Sequence, residues 1–261
     1  MLMDQPWNVY REQLSSLYHG YALWEPDPVD GLYDKVSIGD VGYVYNGFFY
    51  RMFNVTLPWN HPSNKKLGEL EYYKPLDWGQ FLNIHKAPFD KGNYNTPNVS
   101  GQENVGNTLA RTSREYVVVL SRPGATGIDS HSRSAEGITY RCRGPGALLS
   151  IPHDGCREDV IRTKVFEDYI RDNVVSWFEW SKKIGLGVEH MEDLILVTGC
   201  TLVTSWAATA FLGRSGTAEV SLVQMQDNSE RSFEFSNTQG DVARHCSRFD
   251  PVRSPYYVWA L

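Results

Sequence analysis

Hydrophobic positions recur along this chain at two periods. Near the start, Trp7, Tyr10, Leu14 and Leu17 return at steps of three and four. That spacing predicts a short amphipathic helix, with Asp4 as N-cap, Pro6 in the first turn and Gly20 just past the end. Residues 21–24 read as strand, and Glu25-Pro26-Asp27-Pro28 as a turn. Residues 41–45 and 48–53 are β-rich runs joined by Asn46-Gly47. That pair suits a type I′ turn, whose central residues both take positive φ, so 36–53 is expected to form a strand followed by a tight hairpin.

Residues 57–110 lack periodicity and are rich in Asn, Pro, Gly and Lys, which predicts a long loop-rich segment. Tyr-Val-Val-Val-Leu at 116–120 reads as a buried strand, with weaker strands at 138–143 and 147–151 and a Gly/Ser/Arg loop over 121–137. The clearest pattern lies at about 157–184. Phe166, Tyr169, Ile170, Val174, Trp177, Trp180 and Ile184 fall on one side of a helix there. Asp154 is placed to cap it, Glu158 and Asp159 to sit in its first turn, and Lys182 and Lys183 in its last. Gly185-Leu186-Gly187 stops it. Strand patterns return at 194–198, 205–212, 218–225, 232–235 and 256–259. The fold class that follows is α+β: mainly antiparallel sheet packed by one long amphipathic helix and a short N-terminal helix. With no internal repeat and no Pro/Ser linker, residues 1–261 are expected to form a single domain.

Composition narrows the partners. The 261 residues carry 25 Lys and Arg against 31 Asp and Glu, a net charge of −6. That removes the global electrostatic case for nucleic acid, which wants a clustered positive surface. No apolar run approaches the ~20 residues of a spanning helix, and the first residues have neither a basic nor an apolar leader region. A cytoplasmic location is therefore expected, with Cys142, Cys156, Cys200 and Cys246 as reduced thiols. In that setting the glycosylation-type triplets at Asn54-Val55-Thr56 and Asn98-Val99-Ser100 are idle.

Three blocks carry a resemblance. They are Gly20-Tyr21-Ala22-Leu23-Trp24-Glu25-Pro26; then Val36-Ser37-Ile38-Gly39-Asp40-Val41-Gly42-Tyr43-Val44, followed by Gly47 and Arg51-Met52-Phe53-Asn54; and Leu196-Val197-Thr198-Gly199-Cys200 with Ser205-Trp206-Ala207. In this order they resemble a large uncharacterised family of proteins from mushroom-forming (basidiomycete) fungi. The resemblance implies a fungal intracellular origin and a C-terminal portion beyond Leu261. It implies no activity, and so it assigns no catalytic residue.

The chain has no G-x-x-x-x-G-K loop, no G-x-G-x-x-G after a strand, no H-E-x-x-H, no G-x-S-x-G and no paired C-x-x-C. Cys200, after a buried-looking strand and a glycine, is a candidate nucleophile, with His190 (or His153 or His245) as base and Asp193 or Asp241 to orient it. The competing reading is a small apolar thiol filling the core. Cys142, His153 and Cys156 fall short of a zinc ligand set, so neither a metal nor a cofactor is expected. Asp40, between Gly39 and Gly42, is read as fixing a turn rather than holding a ligand hydroxyl. Between positions 111 and 143 stand six arginines and three acids, a pattern able to take phosphate or an acidic lipid surface. The hairpin around Asn46-Gly47 has aromatics on both faces, so one face is expected to be covered by the long helix or the 57–110 segment, and rings left open suit recognition. The functional expectation is a non-enzymatic binding module that meets an unspecified protein or small ligand through Tyr43, Tyr45, Phe49, Arg141 and Arg143. Two alternatives stand beside it: a Cys200-dependent hydrolase or transferase, and a membrane-acting (pore-forming) defence protein whose strand pairs rearrange into a bilayer.

Overall fold

The computed structural model describes residues 5–17, 20–26, 36–77, 83–104, 107–112, 115–120, 133–134, 136–214, 216–227, 230–247 and 257–260. The chain opens with α1 (Pro6–Ser15), the hairpin strands β1 (Asp40–Tyr45) and β2 (Phe48–Asn54), β3 (Ile84–Phe89), β4 (Gly92–Asn95) and β5 (Val99–Asn104). Next come β6 (Asn107–Thr112), β7 (Glu115–Leu120), β8 (Arg133–Ser134), β9 (Glu136–Arg143), β10 (Gly146–Ile151) and β11 (Gly155–Val160). After α2 (Lys164–Lys183) come β12 (Leu194–Leu196), β13 (Gly199–Val203), β14 (Ala207–Phe211) and β15 (Thr217–Asp227). β16 (Glu230–Gln239), β17 (Val242–Cys246) and β18 (Tyr257–Ala260) complete the order. The class is the expected α+β, with antiparallel sheets, a short first helix and one longer helix. Its residues gather into two compact units, 1–18, 90–154 and 204–255 in one, 19–89, 155–203 and 256–261 in the other. The chain passes between them five times. No single cut separates the units, which is why no linker is visible in the sequence.

The first unit holds two four-stranded sheets, ordered β17-β14-β10-β4 and β16-β15-β9-β5. The orders correspond strand for strand. β4 leads into β5, β9 into β10, β14 into β15 and β16 into β17, each through a few residues. Those links are where strand geometry is hardest to keep: Pro97, Gly144-Pro145, Gly213 and Gly240. Neighbouring links touch. Gly213 has φ +75°, and a Cβ there would lie 2.6 Å from the Pro145 nitrogen. Val99, Tyr140, Cys142, Leu148, Ala207, Phe211, Ala218, Val220 and Leu222 fill the core of this unit. α1 lies against β10 and β14 with Val9, Tyr10 and Leu14 buried.

The second unit contains the sheets β12-β1-β2 and β18-β13-β11-β3. Its core is aromatic: Phe53 meets the rings of Trp177 and Trp180 edge-on, with centroids 5.4 and 5.9 Å away. Edge-to-face geometry suits rings with a negative face and a positive rim. Trp180 Nε1 donates to the Glu69 carbonyl at 3.0 Å, so this core indole leaves no bare N–H. Asn46 and Gly47, at φ 51° and 86°, form the turn between β1 and β2 that their side chains predict.

Two expectations need correction. The helix begins at Lys164, not at about 157, because residues 155–160 form β11 between β13 and β3. The acids expected in a first helical turn are strand residues: Glu158 accepts from Lys86 Nζ at 2.6 Å, and Asp159 from Arg157 Nε at 2.6 Å. Asp154 caps no helix; its Oδ1 accepts the Lys91 amide at 3.0 Å. The stretch expected as loop at 57–110 contains β3, β4, β5 and β6. β3, β4 and β5 each lie at the edge of a sheet, where a strand needs no apolar alternation and tolerates Pro88 and Lys86.

The tight fit of the links yields a stability test. Gly213→Ala combines a left-handed backbone with a backbone clash, and should cost about 2–3 kcal/mol, read as a lowered urea midpoint. An unchanged midpoint would mean the links are not tightly fitted.

Candidate functional site

Residues singled out in the sequence lie in both units. Tyr43, Tyr45, Phe49, His190 and Cys200 belong to the second, Arg141 and Arg143 to the first. The β1–β2 register sets Tyr43 opposite Tyr50 and Tyr45 opposite Phe48, so these four rings share a face. Tyr43 and Tyr50 stack at 5.5 Å, and Tyr45 and Phe48 stand at 6.4 and 6.3 Å from Tyr50. Tyr45 is 60% exposed. Phe49 lies on the opposite face, only 8% exposed, among Leu23, Val197, Cys200 and Leu202. It anchors the hairpin and offers no ring to solvent. Gly42 lies beneath it, since a Cβ there would meet the Phe49 ring at 2.7 Å and the Tyr50 carbonyl oxygen at 2.3 Å.

A buried polar knot holds the base of this hairpin. Asp40, fully buried, accepts from the Ser37 amide at 2.7 Å and from Asn54 Nδ2 at 2.8 Å, with Arg51 Nη1 3.7 Å away. The Asn54 amide donates to Asn64 Oδ1 at 2.8 Å, and Asn64 Nδ2 returns a bond to the Asn54 carbonyl at 3.0 Å. Tyr73 donates its hydroxyl to the Leu57 and Asn54 carbonyls at 2.8 and 2.9 Å. Burial raises the Tyr73 phenol well above its ordinary pKa, and nearby Tyr169 adds to the rise. Removing one partner from such a buried pair typically costs about 3–5 kcal/mol, because the other charge stays buried. Asp40 thus fixes a turn and a hairpin base. Asn54, Asn64 and Tyr73 had no visible signal beyond an idle glycosylation-type triplet, which proves to be a local turn: Asn54 Oδ1 accepts from the Thr56 amide at 2.9 Å.

β9 presents a different surface. In the β16-β15-β9-β5 sheet the side chains of Val99, Tyr140, Cys142, Ala218 and Val220 face the core. The alternate positions are polar: Ser100, Gln102, Thr139, Arg141, Arg143, Glu219 and Ser221. Thr139 and Ser221 hydroxyls lie 2.9 Å apart, and Arg141 Nε donates to Glu219 Oε2 at 2.6 Å. Arg141 remains 56% exposed, a geometry in which an ion pair contributes little. β5 and β9 pair from Val99↔Cys142 to Asn104↔Gly137. No tight turn joins them there. The ladder resumes between β6 and β8 at Thr108↔Ser134 and Leu109↔Arg133, while β7 pairs along the other side of β6.

Cys200 follows β12 and Gly199 as expected but is itself inside β13, 1% exposed in an apolar cluster. A nucleophile needs an open path to substrate. His190 is exposed at a short turn, where its amide donates to Asp193 Oδ2 at 2.9 Å. Among the described residues no three His, Cys, Asp or Glu side chains converge as a metal site, and no helix is long and apolar enough to cross a membrane. No family model matches the chain, and neither the curated proteins nor the solved structures searched contain a match.

Thiol accessibility tests this arrangement. Burial pushes the Cys142 thiol up to about 11, so at pH 8 it is protonated as well as enclosed. Cys156 and Cys246 are half-buried. Titration of the native protein with a chromogenic disulfide should find two faster thiols, Cys156 and Cys246, and two that react only on unfolding. Rapid reaction at Cys200 would restore the nucleophile to consideration.

Proposed function

We propose that this chain is a non-enzymatic, membrane-acting β-protein that works through the prolonged strand pair β5–β9. The observation that carries the reading is the continuation of this pair past Asn104 and Gly137, between which 32 residues (105–136) are inserted. Pairing runs from Val99↔Cys142 to Asn104↔Gly137 and is found again at Thr108↔Ser134 and Leu109↔Arg133, so its ends lie 11 positions apart on one side and 10 on the other. A bilayer-crossing β-strand needs about 9–11 residues. Hydrocarbon leaves no partner for bare backbone groups, so strands cross only as a closed barrel, which several copies of one pair supply together. The alternation of Ile138, Tyr140 and Cys142 with Thr139, Arg141 and Arg143 is the pattern such walls require. A cytosolic, fungal origin belongs to the same proposal, resting on the sequence blocks and the free thiols.

The test is release of a trapped dye from lipid vesicles, together with conductance steps in a planar bilayer. The full chain should give both. A variant lacking residues 105–136, with Asn104 joined to Gly137 through an Asn-Gly turn, should keep its fold by circular dichroism and lose both. Equal leakage by the two proteins, or none from the full chain, overturns the reading.

A second reading has its own observation, the ring cluster Tyr43, Tyr45, Phe48 and Tyr50 with Tyr45 open to solvent. Rings with hydroxyl tips suit a protein or small-ligand interface. Tyr45→Ala should change stability by under about 0.5 kcal/mol. Pull-down from a fungal lysate should lose a partner that the unaltered chain recovers. Equal recovery by both removes this surface from consideration.

A further inference from the structure

We infer that the surface met by the β5–β9 pair is an anionic lipid surface. This rests on the membrane-acting reading above and names its partner. Residues 111–143 hold six arginines, no lysine and three acids, a surplus of three positive charges. The whole chain carries −6, so the remaining residues carry −9. Charge is therefore segregated in sequence: a cationic stretch within an otherwise acidic protein. The net charge of the remaining residues opposes an anionic membrane, while that stretch favours one.

The described part of this stretch shows how the charge is held. Arg141 and Arg143 are exposed on the polar face of β9, two residues apart, so their side chains leave the sheet on the same side. They are joined there by Ser100 and Gln102 of β5, both exposed and neutral. Glu219 is the carboxylate beside Arg141, held in an ion pair open to water, which offsets part of one charge. Guanidinium groups take phosphate oxygens through paired N–H bonds, and neutral hydroxyl and amide neighbours add donors without repelling the headgroup. A neutral lipid gains nothing from the surplus charge.

The experiment compares sedimentation of the full chain with vesicles of phosphatidylcholine alone and of phosphatidylcholine with one-quarter phosphatidylserine, recording dye release in parallel. Binding should be strong only with phosphatidylserine and should fall as salt shortens the reach of the charges. Arg141→Gln with Arg143→Gln should weaken it by roughly fivefold per arginine. Lys182→Gln with Lys183→Gln removes the same charge from α2 and should leave binding within about twofold, separating a local effect from net charge. Thermal unfolding checks that both variants fold. Equal binding to the two vesicle types, or equal losses in the two double variants, overturns the inference. Release without lipid preference leaves the membrane-acting reading standing and refutes this inference; anionic docking without release does the reverse.

Discussion

Backbone pairing across four strands is the constraint on which the first unit depends. Every N–H and C=O in a buried strand needs a partner, and a sheet that ends abruptly leaves a row without one. Here each of the four strands breaks and resumes beside the same neighbours in a second sheet. The breaks must therefore fall side by side, which is why Gly213 lies against Gly144-Pro145 with no room for a side chain. The Asn98 side-chain Nδ2 also donates to the Pro145 carbonyl. The arrangement leaves β5 and β9 as neighbours at one end of their sheet, with Thr108 and Leu109 pairing again with Ser134 and Arg133.

In the second unit the corresponding constraint is polar. A hairpin that carries aromatic residues on both faces must bury one face and hold the other steady. Phe49 does the first, and the Asp40–Asn54–Asn64 knot below does the second. A buried carboxylate is costly unless several donors surround it, so the knot specifies one arrangement of its loops. Cys200, which looked most like chemistry in the sequence, and Asp40, read there as fixing a turn, are both enclosed and take part in holding the fold.

Residues left open to solvent include others of another kind: Tyr45 on the hairpin, and arginines with hydroxyl and amide side chains on one face of a sheet. These are the surfaces on which the two proposed readings rest. Their chemistry, neutral and aromatic in one case and cationic in the other, suits different partners, so the two functional readings are independent.

Much of the fold was legible in the sequence wherever a buried face imposes a period. The rings of α2, the alternation in β9 and β15 and the Asn-Gly turn follow from side-chain geometry alone. Edge strands carry no such imprint, since one side of their ladder is bare, and β3, β4 and β5 resembled loop for that reason. β11 was misjudged because acids near a helix start mimic a favourable first turn; its partners Lys86 and Cys200 lie far away in sequence. The sequence by itself determined the class, the turn and the segregation of charge. Only the tertiary structure decided which faces are covered, that Phe49 points inward, and that Thr108 and Leu109 pair with Ser134 and Arg133 beyond the ends of β5 and β9, because each depends on contacts between residues remote along the chain.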